Sequence, residues 1–181
     1  MKRKIFVSIN IPEKTRSKLI KTIELWQNLP VKWIREQNLH LTVSFLGFVN
    51  DDMLSEICAK VRNAVEKTEI FDLEFAEIML APNKDDPKTI WLTGKVSDEL
   101  RILQEQIEKG LGTFVARKKS FRPHITLGRI RNHKWNAQKE KPEVFAKFPL
   151  TLAVNSVEII ASDFDGDGPE YTIIESCPLG I

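Results

Sequence analysis

The chain has 181 residues, of which 42% are hydrophobic and 29% charged, with a net charge of +2 at neutral pH. That supports one globular domain over residues 1–181 with a proper core, and so small a net charge does not by itself announce a nucleic-acid binder, because the surface field depends on where charges sit. The two cysteines, Cys58 and Cys177, lack metal-ligand or redox spacing and read as reduced buried thiols of a cytoplasmic protein, while the apolar run Ile5 to Ile11 is too short and too polar for a signal peptide or a membrane span.

In chain order, Ile5 to Ile9 predicts an opening strand, and Pro12-Glu13 begins a helix with Leu19, Ile23 and Trp26 at helical spacing, stopped by Asn28 and Pro30. Val31 to Ile34 is extended, and a strand follows from about Leu39 to Phe48. Asp51 and Asp52 are placed to cap a second helix with the stripe Leu54, Ile57, Cys58, Val61 and Val65. Phe71 to Phe75 alternates as a strand, Pro82 to Pro87 makes a polar turn, and Thr89 to Thr93 is β-rich. Ser97 caps a third helix carrying Leu100, Leu103, Ile107 and Leu111, ended by Gly110 and Gly112. Another strand follows the basic Arg117-Lys118-Lys119. Arg131 to Pro142 reads as a polar loop, Phe145 to Leu152 has no clear pattern, and Val154 to Ala161 with Tyr171 to Cys177 reads as a closing hairpin. Few helices among adjacent strands predict an α+β fold with antiparallel sheets, and the recurring order of strand, helix and strand suggests two halves related by approximate two-fold symmetry.

Two segments repeat one pattern. His40-Leu41-Thr42-Val43 and His124-Ile125-Thr126-Leu127 both read histidine, apolar, threonine, apolar, and they use two of the chain's three histidines. In a strand, alternate side chains share a face, so each copy offers an imidazole and a hydroxyl together. Histidines merely packed at strand ends are the bland alternative. Against it, glycine follows each threonine closely, at Gly47 and Gly128, and from Arg117 to Lys134 the chain carries many cations and no Asp or Glu.

Two facing imidazoles can divide acid–base work near neutral pH without a metal. In phosphodiester hydrolysis one deprotonates water and the other protonates the departing ribose oxygen, while hydroxyls and guanidiniums hold the nonbridging oxygens. Other sites fail on inspection. Asp163, Asp165, Asp167 and Gly168 imitate a calcium loop whose twelfth position falls on Ile174, so a hairpin turn is the better reading. Gly110-Leu111-Gly112 is a helix end, no phosphate-binding glycine loop is present, and Ser44, on the face of Thr42 by simple alternation, has no nucleophile partners. Trp33, Trp91 and Phe121 are candidates for stacking a base or for core packing.

The run His40 to Gly47 with Phe121-Arg122-Pro123-His124-Ile125-Thr126-Leu127-Gly128-Arg129 resembles the paired signature of the two-histidine phosphoesterases, most closely the RNA 2′,3′-cyclic phosphodiesterases, also called 2′-5′ RNA ligases. The likeness extends to Arg3 to Ile9, to Val31-Lys32-Trp33-Ile34 and to Asn38-Leu39. It implies a bilobal α+β fold of two antiparallel sheets with outer helices and a central cleft, each lobe contributing one His-x-Thr strand, and hydrolysis of RNA 2′,3′-cyclic phosphate ends to 2′-phosphates, with His40 as proton donor, His124 as acceptor, and Thr42, Thr126 and Arg129 on the substrate phosphate. The implied partner is RNA with a cyclic phosphate end, tRNA fragments among the candidates; no cofactor is expected, the His-x-Thr repeats bring no carboxylate or cysteine for a metal, and no segment predicts a membrane. Arg129 stands at an odd offset from His124, which on a regular strand turns it away, so geometry alone favours Arg122 and both are carried forward. Two alternatives stay open: an RNA-end binding or 2′-5′ ligation module, and a phosphodiesterase for a small cyclic nucleotide.

Overall fold

The structure is a computed structural model that describes residues 2–115, 122–166 and 168–180, with nothing said of the Asp165 side chain. The chain runs β1 (Lys2–Asn10), α1 (Glu13–Ile23), β2 (Val31–Trp33), β3 (His40–Asn50), α2 (Leu54–Val65), β4 (Phe71–Ala81), β5 (Thr89–Gly94), α3 (Asp98–Leu111), β6 (His124–Ile130), α4 (Asn132–Asn136), β7 (Phe145–Val154), β8 (Ser156–Asp165) and β9 (Gly168–Pro178). Among the described residues the strands form one antiparallel sheet in the order β7-β4-β5-β6-β3-β1-β8-β9, with β2 laid on β6. The two predicted sheets are thus the halves of one continuous sheet. They join at β3 and β6 through a single register pair, Leu41 with Ile125, each fully buried.

The halves repeat a unit. Strand, helix and histidine strand occur as β1-α1-β3 and again as β5-α3-β6. Apolar periodicity explains which side of each helix is inside: Leu19 and Ile23 in α1, Ile57, Cys58, Val61 and Val65 in α2, and Leu100, Leu103, Ile107 and Leu111 in α3 are buried. Helix α2 packs on α3 and β9, while α1 reaches the other half, where the Lys18 ammonium lies 4.9 Å from the Phe148 ring centre of β7. Among the described residues no helix is long and apolar enough to cross a membrane.

Several local expectations are met and several are corrected. Ser97 Oγ accepts the Leu100 N–H at 3.1 Å, the predicted cap, and the closing hairpin forms with strands longer than its alternation indicated. Asp51 and Asp52 instead sit in a 3-10 turn, and the N-cap of α2 is Met53. Gly110 lies inside α3, where a Cβ would stand 3.3 Å from both Ala64 Cβ and the Lys60 carbonyl, so its role is close helix packing and the stop comes at Gly112, φ +58°. The polar stretch after Arg131 holds α4, which buries Trp135. Phe145 to Val154 is a strand, and it tolerates exposed Pro149 because it lies at the sheet edge. Arg117, Lys118, Lys119 and Phe121 lie outside the described residues.

Both cysteines are buried and free, and burial pushes their thiols up, to about 11 for Cys58 and about 12 for Cys177. They are protonated and shielded at neutral pH. A thiol-reactive probe is expected to label neither in the folded protein and both after unfolding in denaturant.

Gly128 is where β2 is allowed to reach β6. A Cβ there would stand 2.4 Å from Val31 Cγ1 and 2.9 Å from Trp33 Cε3. Gly128→Ala is expected to cost about 1–3 kcal/mol through overpacking, seen as a lower urea midpoint at unchanged slope.

Candidate active site

Antiparallel pairing of Leu41 with Ile125 decides where the motif side chains go. With those two buried, His40 and Thr42 on β3 and His124 and Thr126 on β6 emerge together on the other face, His40 opposite Thr126 and Thr42 opposite His124. The two histidines occupy the diagonal of a cross-strand square, about 7–8 Å between backbones. All four side chains are half-buried, and the positive charge of His124 is felt at His40. That places both rings within reach of one group the size of a phosphate.

Each ring is oriented by its own strand. The Nδ1–H of His40 donates to the Asn38 carbonyl at 2.7 Å, and that of His124 to the Arg122 carbonyl at 2.6 Å, in both cases two residues upstream. A carbonyl only accepts, so Nδ1 carries the hydrogen and Nε2 is the nitrogen left for chemistry. Thr42 Oγ1 lies 2.9 Å from His40 Nε2, and its hydroxyl donates there when the ring is neutral; among the described residues no hydrogen bond reaches Nε2 of His124. The Asn38 side chain meanwhile donates to the Pro169 carbonyl at 2.9 Å, tying the start of β9 to the turn before His40.

Aromatic neighbours differ between the two. Trp91 stacks on His124 at 3.8 Å between ring centres and 20° between planes, whereas His40 lies 4.9 Å from Phe6 and meets Tyr171 edge-on at 5.4 Å and 79°. Burial holds both imidazoles below their ordinary range. At His40 the Asn38 carbonyl works against that shift, while the charges of His124 and Arg129 add to it; at His124 the Arg122 carbonyl opposes burial.

An identical irregularity in both strands decides the face on which Arg129 stands. On β3, Thr42 pairs with Ser8 but Ser44 with Val7 and Phe45 with Phe6; on β6, Thr126 pairs with Trp91 but Gly128 with Ile90 and Arg129 with Thr89. One residue is left over in each, Val43 and Leu127, and such a bulge turns everything after it to the opposite face. Arg129 therefore stands on the histidine face despite its odd offset, and its charge is felt at His40 and Tyr171. Arg122 precedes the strand with its side chain exposed, and its backbone carbonyl is what engages His124. Ser44 is turned into the core, which corrects its expected place beside Thr42.

Of the aromatic candidates, Trp91 lies against His124, Trp33 covers Gly128 on the opposite face, and Phe121 lies outside the described residues. Tyr171 and Phe6 join the site although the sequence motifs do not single them out. The chain's one tyrosine, in a strand of the closing hairpin, is the available signal for the first. Among the described residues no three His, Cys, Asp or Glu side chains are grouped to hold a metal ion.

A family model described as the 2′-5′ RNA ligase superfamily matches residues 12–166. The chain belongs to the 2′-5′ RNA ligase superfamily. It is 27% identical to an RNA 2′,3′-cyclic phosphodiesterase of Thermotoga maritima, over 95% of this chain and 93% of that one. It is 25% identical to an RNA 2′,3′-cyclic phosphodiesterase of Methanocaldococcus jannaschii, over 95% and 98%. The crystal structure of TT0787 of Thermus thermophilus superposes with a TM-score of 0.82 at 23% identity over 97% of each chain, which establishes the α+β fold of this superfamily member.

Long-range proton–nitrogen spectra are expected to show both His40 and His124 as the Nδ1–H tautomer, with titration midpoints below the free-imidazole value of about 6.5. An Nε2–H ring at either position contradicts the orientation described.

Proposed function

We propose that this superfamily member is an RNA 2′,3′-cyclic phosphodiesterase that forms 2′-phosphomonoesters by metal-independent catalysis, residues 1–181 acting as one bilobal unit. The observation that carries the reading is the square of two imidazoles and two threonine hydroxyls on one face, with Nδ1 of each ring engaged and Nε2 left for chemistry. The names of its relatives supply the substrate class, RNA ending in a 2′,3′-cyclic phosphate.

In this reading the cyclic phosphate sits between the rings, its nonbridging oxygens held by Thr42, Thr126 and Arg129. His124 Nε2 takes a proton from water as the water oxygen bonds to phosphorus. The bond from phosphorus to O3′ breaks, and His40 Nε2 gives its proton to O3′, leaving the 2′-phosphate. Solvent then returns each ring to its starting state. Each proton transfer contributes typically about 10²–10⁴-fold, and positioning and charge stabilisation by the hydroxyls and guanidinium add to it. The charge of Arg129 makes protonated His40 the readier acid, which supports its role as donor.

The test is turnover of an oligonucleotide with a 2′,3′-cyclic end in excess chelator, with the product identified as a 2′- or 3′-phosphate. His40→Ala and His124→Ala are each expected to lose about 10²–10⁴-fold in kcat, and Thr42→Val or Thr126→Val about 10–100-fold. Abolition of turnover by chelator, or a 3′-phosphate product, contradicts the proposal. Binding of the oligonucleotide without turnover by the unaltered protein favours the binding or ligation module.

One ring must be charged and the other neutral, so kcat/KM is expected to be bell-shaped. Activity falls at high pH as the donor loses its proton and at low pH as the acceptor gains one. Since both imidazoles are shifted down in the free protein, the maximum is expected below about pH 6.5, with the kcat profile moved to higher pH because the bound anion favours imidazolium. A profile flat from pH 5 to 8 contradicts the division of labour.

A further inference from the structure

The register of β2 on β6 sets Lys32 directly opposite Arg129. Paired residues of an antiparallel ladder point to the same side, so Lys32 shares the face of Arg129, His124 and Thr126. Like charges directly opposite each other destabilise a sheet, and among the described residues no ion pair neutralises either one. Lys32 is exposed, and its Nζ lies 4.0 Å from where a Cβ would stand on Gly168, so its ammonium extends toward the hairpin end that Asn38 ties down beside His40. A local conflict with no gain for the fold marks a place kept for an anion.

We propose that Lys32 is a second phosphate subsite, holding the phosphodiester on the 5′ side of the terminal nucleotide and so favouring RNA chains over mononucleotides. This rests on the RNA-end reading above. A cyclic phosphate closes the 3′ end of an RNA, so the remainder of the substrate lies on its 5′ side and the next anion is that phosphodiester. Arg129, whose charge is felt at His40, serves the reacting phosphate. Lys32 stands one strand farther out, about 4.8 Å in backbone spacing, and its stem is long and flexible enough to meet the following one.

The experiment measures binding of two product-like probes, adenosine 2′-phosphate and the dinucleotide ApA bearing a 2′-phosphate, to the unaltered protein, Lys32→Ala and Lys32→Arg. Lys32→Ala is expected to weaken the dinucleotide about 5- to 30-fold while moving the mononucleotide less than twofold. The slope of log affinity against log salt for the dinucleotide is expected to fall by about 0.7, the loss of one phosphate contact on a single strand, and Lys32→Arg to restore both. Equal weakening of the two probes, or no weakening of either, overturns the proposal. Turnover by the unaltered protein is scored separately: its absence counts against the hydrolase reading, while the contrast between probes still judges Lys32.

Discussion

The arrangement of this face depends on the contact between Leu41 and Ile125, among the described residues the one register pair through which two half-sheets become continuous. Both side chains are fully removed from water, and moving such a residue to the solvent side costs on the order of 1.5–3 kcal/mol. Because the side-chain period of a strand is two, a slip of one residue would bury His40, Thr42, His124 and Thr126 and expose the apolar residues between them. Hydrophobic burial therefore fixes the register, and the register fixes the polar square. The histidines need no mutual attraction to come together, which matters because their charges oppose each other.

A second constraint is the bulge shared by both strands. It repeats the symmetry of the halves while letting their products differ: three residues beyond each threonine the chain returns to the histidine face, with Arg129 on β6 and Phe45, half-exposed, on β3. One backbone device thus delivers a guanidinium to one side and an aromatic ring to the other. On the β3 side Phe45, Phe6 and Tyr171 surround or adjoin His40, and on the β6 side Arg129 and Lys32 make the face cationic. A net charge of +2 over the whole chain conceals that local arrangement.

What is legible in the sequence follows from what periodicity encodes. The stripes of α2 and α3, the cap at Ser97 and the two His-x-Thr strands can be read because each depends on residues near one another in the chain. Helix α4 is hidden because its one buried residue, Trp135, cannot make a stripe, and β7 because an edge position excuses a proline that sequence rules place outside strands. Simple alternation misplaces Ser44 and Arg129 for a single reason: it runs on through a bulge that has no signature of its own. Gly128 stands out in the sequence, but its need for empty space comes from Val31 and Trp33, on a strand far earlier in the chain.

Near-identical strands raise the problem of how two equivalent rings acquire different tasks. Their Nδ1 bonds are alike, so the difference must come from outside the motifs. Arg129 sets positive charge against His40, whereas burial and the Arg122 carbonyl act on His124; the repulsion between the two imidazoliums is mutual and favours neither. In the free protein this makes His40 a reluctant holder of a proton. In the complex proposed above, a phosphate between the rings reverses the balance, since its negative charge offsets the guanidinium that disfavours the imidazolium, and Thr42 can turn its hydroxyl from Nε2 to the phosphate. The substrate itself then helps to charge the donor, and as charge leaves phosphorus for the departing O3′ that support weakens. On this proposal a proton held by such a ring is released where the leaving group needs it, and a symmetric fold acquires a direction of proton flow.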